Sequence, residues 1–94
     1  MATFILFGKY CPDALKGVST VRTKKAAARV RKLKGKVVGM YAMLGETDLV
    51  FILELPGLEA AMKASVGLSR LTGISFTTAP AVSVDLFDNL MAEL

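Results

Sequence analysis

Histidine is absent from these 94 residues, and cysteine occurs once, at Cys11. Without an imidazole there is no Ser-His-Asp or Cys-His nucleophile, no ordinary proximal haem ligand and little scope for zinc. A lone thiol forms no internal disulfide, which fits a reducing compartment. With no His to act as its base, Cys11 reads as a small residue flanking a turn rather than as a nucleophile. Long apolar runs are missing as well. A membrane-spanning helix needs about 20 consecutive apolar residues, whereas the longest stretches here, Val37–Leu44 and Leu49–Leu53, are strand-sized, and Phe4–Phe7 is too short for the core of a signal peptide. These absences point to a cytoplasmic protein with no membrane partner.

Hydrophobic residues, by contrast, are plentiful: they make up 53% of the chain, with only 7% aromatic. A chain of this length has room for one domain, residues 1–94, and buries only about 60 to 65% of its unfolded surface on folding. So high an apolar content exceeds what a small core absorbs.

The excess can be located along the chain. Thr3–Tyr10 reads as a strand closed by Cys11-Pro12-Asp13. Leu15–Leu33 reads as one helix, with Ser19, Thr23, Ala26, Val30 and Leu33 on its inner face and Gly35 as its terminator. Lys36–Leu44 and Asp48–Leu55 read as a β-hairpin about Gly45-Glu46-Thr47. A second helix follows, carrying Leu58, Ala61, Met62, Ser65, Leu68 and Leu71 inward and ending at Gly73. Ile74–Val82 is the last strand, placed at a sheet edge by Pro80. A terminal helix capped by Ser83 or Asp85 carries Leu86, Phe87, Leu90, Met91 and Leu94 on its inner stripe. The order β-α-β-β-α-β-α predicts an α+β, ferredoxin-like sandwich: two helices on one face of a four-stranded antiparallel sheet.

A sheet with one wet face alternates apolar and polar residues. These strands do not. In the second, Val37, Gly39, Tyr41 and Met43 alternate with Val38, Met40, Ala42 and Leu44; in the third, Leu49, Phe51, Leu53 and Leu55 alternate with Val50, Ile52 and Glu54. Burying about six to eight side chains on the uncovered face would yield on the order of 10 to 20 kcal/mol, against association costs of roughly 4 to 15 kcal/mol. The expected partner is a second copy, as a homodimer or higher homo-oligomer formed through that face.

Three segments carry a likeness to a known family: Gly8-Lys9-Tyr10; Gly35-Lys36-Val37-Val38-Gly39 with Tyr41; and Leu44-Gly45-Glu46-Thr47-Asp48-Leu49-Val50. With the element order, they make the chain resemble the GYD domain family of small bacterial and archaeal proteins, related to the dimeric α/β barrel proteins. The resemblance implies a ferredoxin-like fold and barrel-type pairing, with Gly8, Gly39, Gly45 and Asp48 as motif positions. Thr47 stands where the family's hairpin usually has tyrosine. No catalytic residues transfer with the likeness, and the missing histidine argues against the haem-using members of the wider superfamily.

Functional candidates follow from the same residues. A cavity between sheet and helices, rimmed by Lys9, Tyr10, Arg22, Tyr41 and Glu46, is the candidate site for a small, anionic molecule. Asp48 and Glu46 read first as hairpin residues, and alternatively as a general base beside an apolar pocket. They are too few for a metal cage, and no cofactor or metal is expected. Between Lys16 and Lys36 lie nine of the twelve basic residues and no acidic one, which reads as a solvated face before it reads as a nucleic-acid surface, because no aromatic between Tyr10 and Tyr41 offers base stacking. A binding or regulatory module therefore ranks first, a cofactor-independent monooxygenase or isomerase second, and a nucleic-acid partner third.

Overall fold

The computed structural model describes residues 1–94. Its elements are β1 (Ala2–Lys9), α1 (Pro12–Lys16), α2 (Thr20–Lys32), β2 (Lys36–Ala42), β3 (Leu49–Leu55), α3 (Leu58–Thr72), β4 (Ser75–Ala81) and α4 (Val84–Ala92). The strands form one antiparallel sheet in the order β2-β3-β1-β4, the ferredoxin-like arrangement, with β4 at an edge as Pro80 requires.

Strand parity decides which face is covered. Phe4 and Leu6 of β1 and Phe51, Leu53 and Leu55 of β3 are buried, and they form one cluster with Ala26 and Val30 of α2 and Ala61, Ala64 and Leu68 of α3. The intervening residues point the other way. Cross-strand register aligns Tyr41, Val50, Phe7 and Thr77 in one row of the uncovered face, and Gly39, Ile52, Ile5 and Ala79 in the next. This face is apolar, and no element packs over it within the chain.

Several sequence expectations need correction. The helix anticipated over Leu15–Leu33 is two helices: Gly17 ends α1, and Ser19 starts α2 afresh by accepting the Arg22 N–H through Oγ, a side-chain cap that favours a new start over continuation. Gly35 is not the left-handed terminator of α2. That role falls to Lys34, with φ of 62°, while the Lys34 N–H donates to Arg31 O and the Gly35 N–H to Val30 O, the paired bonds of a Schellman ending. In β2 the register shifts between Val37 and Gly39. A bulge there puts two residues opposite one and reverses the alternation, so Val37 packs against the core with Met40 while Gly39 and Tyr41 face away.

The stripe on α3 also differs. Ala61, Ala64, Leu68 and Thr72 are buried, whereas Leu58, Met62 and Val66 are exposed. The helix is apolar on two sides, and its alanines are the side that allows close approach to the sheet. Most distinctive is α4. Ser83 Oγ caps it by accepting the Leu86 N–H, yet none of its residues is buried. It projects from the body, and the whole chain, α4 included, measures 48 × 30 × 18 Å.

Candidate functional site

Between the N-terminal half of α2 and the helix-covered face of the sheet lies a cleft of about 250 Å³. Met40, Ala42, Leu49, Phe51 and Ile74 line it from the sheet side, and Val18, Ser19, Arg22, Thr23 and Ala26 from the helix side, with Tyr10 and Thr72 at its margins. Apolar surface therefore forms the floor. The polar groups gather where α2 begins.

Arg22 is the charged member of this lining, and its placement is specific. Its Nη1 donates to Ala14 O at the end of α1, and its guanidinium carbon stands 6.0 Å from the centre of the Tyr10 ring, the outer limit of a cation–π contact. Gly17 makes this reach available, because a Cβ there would lie 2.7 Å from the same Nη1. The break between α1 and α2 thus serves the site: it bends the chain so that Arg22 reaches back across α1. A guanidinium carries five N–H donors. One bond to Ala14 fixes its position and leaves the others for an anion at the mouth of the cleft.

Tyr10 is held from the opposite side. Its backbone N–H donates to Asp48 Oδ2 at 2.9 Å, the Asp48 N–H donates to Gly8 O at 3.0 Å, and the Met43 N–H donates to Asp48 O at 2.8 Å. Asp48 therefore ties the base of the hairpin to the end of β1. Gly45, at φ of 114°, takes a conformation that L side chains rarely adopt.

Of the five residues expected at a common rim, the structure brings Tyr10, Arg22 and Tyr41 to this cleft and leaves Lys9 and Glu46 outside its lining, as it does the further candidate Asp48. Lys9 shares parity with Ile5 and Phe7 on the uncovered face, and its Nζ donates to Glu46 O at 2.9 Å. Glu46 is at the exposed hairpin tip. Asp48 borders a separate shallow groove with Cys11, Leu15 and Met43. Tyr41 reaches the cleft only as part of β2, because its ring folds over Gly39 on the uncovered face, where a Cβ on Gly39 would lie 2.8 Å from Cε2. Gly8 and Gly39 leave no empty space: Phe76, Ile74 and Leu49 fill the surroundings of Gly8, and the Tyr41 ring those of Gly39.

Sequence reasoning missed the cleft's floor and its threonine and serine. The signal was present: helical periodicity puts Ser19 and Thr23 in line with Ala26 and Val30, and in the structure both stay exposed and line the cleft. Cys11 has a structural task. Its Sγ accepts the Ala14 N–H at 3.4 Å and caps α1. No three His, Cys, Asp or Glu side chains come together in a way that could hold a metal ion, and no helix is long and apolar enough to cross a membrane.

Comparison with known proteins adds the following. The model of the GYD domain family matches residues 4–91. Among solved structures, the fold is similar to that of the Mycobacterium tuberculosis leucine response regulatory protein LrpA, at a TM-score of 0.58 and 11% identity. That match covers 87% of this chain and 51% of the other, so the chain spans about half the length of that regulator. At such low identity the likeness speaks for the fold alone. Comparison with curated proteins gives no match.

Proposed function

The chain belongs to the GYD domain family, and from that premise we propose that it is a ligand-binding or regulatory module, homodimeric through its uncovered sheet face, that holds a small apolar molecule with an anionic end in the cleft beside Arg22. The observation that carries this reading is the arginine itself. It stands at the mouth of an apolar cleft, is held by a single carbonyl, and keeps donors free. A volume of about 250 Å³ lies below the range that accommodates drug-sized ligands, which suits a compact carboxylate or phosphate ester whose hydrocarbon part enters between Met40, Leu49 and Ile74.

Pairing through the sheet is supported by the rows of Tyr41, Val50 and Phe7, and of Ile52 and Ile5, which would otherwise remain in water. The general-base alternative loses support from the position of the carboxylates: Asp48 is engaged by the Tyr10 N–H, and neither it nor Glu46 borders the cleft.

Native mass spectrometry of protein taken directly from cells tests the binding reading. A retained small molecule that is lost on gentle activation is expected, with a several-fold lower occupancy in Arg22→Gln. Protein recovered empty, and failing to take up short-chain carboxylates or phosphate esters at millimolar concentration, would end it.

A further inference from the structure

Two apolar surfaces remain after the cleft and the sheet face have been accounted for, and they match each other. The first is the stripe of α4: Leu86, Phe87, Leu90 and Met91 are 43 to 50% exposed. The second is a groove of about 320 Å³ between α3 and β4, walled by Leu58, Met62 and Val66 on one side and Pro80 on the other. Leu58, Met62 and Val66 recur at every fourth residue and span about 12 Å, close to the roughly 14 Å length of a nine-residue helix. We propose that α4 is an arm that crosses to a second copy of this chain and seats its apolar stripe in the α3–β4 groove of that copy.

Charge and continuity favour a second copy as the occupant. All twelve basic residues and five of the eight acidic ones precede Val84, which leaves +7 on residues 1–83 and −3 on residues 84–94. The arm is therefore acidic and the body basic. On α3, the helix that walls the groove, the exposed Lys63 and Arg70 outnumber the one exposed carboxylate, Glu59. Successive residues of β4 alternate between the two surfaces: Ala79 and Ala81 belong to the uncovered face, Thr78 and Pro80 to the groove. The groove thus continues the face proposed for pairing around a single strand edge. The arm departs from the end of that same strand, and none of its residues lines its own groove, which stays open. An isologous pair would exchange two arms and fill two grooves.

The inference rests on the self-association proposed above, and disulfide trapping separates the two. In a Cys11→Ser background, a chain carrying Phe87→Cys is mixed with a differently tagged chain carrying Met62→Cys and oxidised. Both positions are exposed, at 50% and 61%, so the core is unaffected. The expected result is a covalent dimer joining the two tags as the main product. Coupling of Phe87→Cys mainly to itself, mainly to Ile52→Cys on the sheet face, to Met62→Cys only when both lie in one chain, or to nothing while the protein remains dimeric would each overturn the arm exchange and leave the pairing intact. A protein that is monomeric throughout would overturn both.

Discussion

Lys34 occupies a left-handed conformation at φ of 62°, which costs a residue with a Cβ about 1 to 2 kcal/mol. The Schellman bonds that surround it need only backbone atoms, so Lys34→Gly should keep them and raise stability by up to about 1 kcal/mol, the remainder being lost to the extra freedom of the unfolded chain. Urea denaturation would show a higher midpoint at constant slope. A second reserve lies at Thr78, whose Oγ1 is buried without a hydrogen-bond partner. A buried hydroxyl left unsatisfied costs roughly 1 to 3 kcal/mol, and valine has the same shape, so Thr78→Val should raise the melting temperature; a lower one would mean that the hydroxyl is satisfied in solution. Neither position was legible in the sequence. A lysine before Gly35 reads as the last residue of a helix, and threonine is an ordinary strand residue. Only the pattern of bonds around Gly35 and the pairing of Thr78 with Leu6 show what each endures.

The hairpin and the first strand depend on each other through Asp48. Replacing it with alanine removes the acceptor of the Tyr10 N–H, a bond to a charged group worth about 1.5 to 3 kcal/mol, so Asp48→Ala should destabilise by that order and loosen Tyr10 beneath Arg22. A melting temperature unchanged by this substitution would mean that water replaces the carboxylate at no cost. The order of elements and their approximate limits were readable because turn residues and periodicity agree on them: Pro12, Gly45, Pro56 and Gly73 punctuate the chain where it turns. What periodicity could not supply was a choice among apolar faces. On α3, Leu58 and Met62 make as good a stripe as Ala61 and Ala64, and only the sheet decides between them. The bulge at Val38 has no signature in a run of valines. The break in the first long helix was visible only as Gly17 followed by a capping serine. Parity did contain part of the candidate site, since Tyr10 shares its phase with Leu6 and Gly8 while Lys9 goes with Phe7; it became usable once the covered face was known.

Considered as one object, the molecule carries more apolar surface than it covers. Ile52 lies near the centre of the uncovered face, paired with Ile5 and Gly39, where a lysine would place a charge inside any stacked interface. Ile52→Lys should therefore weaken self-association by at least about tenfold, equal to roughly 1.4 kcal/mol, while leaving the fold and the α2 side intact; sedimentation at micromolar concentration would show it. A wild-type chain that sediments as a stable monomer would remove the basis for pairing. The two edges of the sheet bear on how such association ends. At one edge Pro80 interrupts the row of backbone donors that a neighbouring strand would need, and at the other the irregularity at Val38 breaks the ladder beside Lys36. Strand addition is thus discouraged on both flanks, and the apolar face of the sheet is one that the single further copy proposed above would use up. In that proposed pair, a protein with a mean hydropathy of +0.51 would stick to itself once without growing into a fibril.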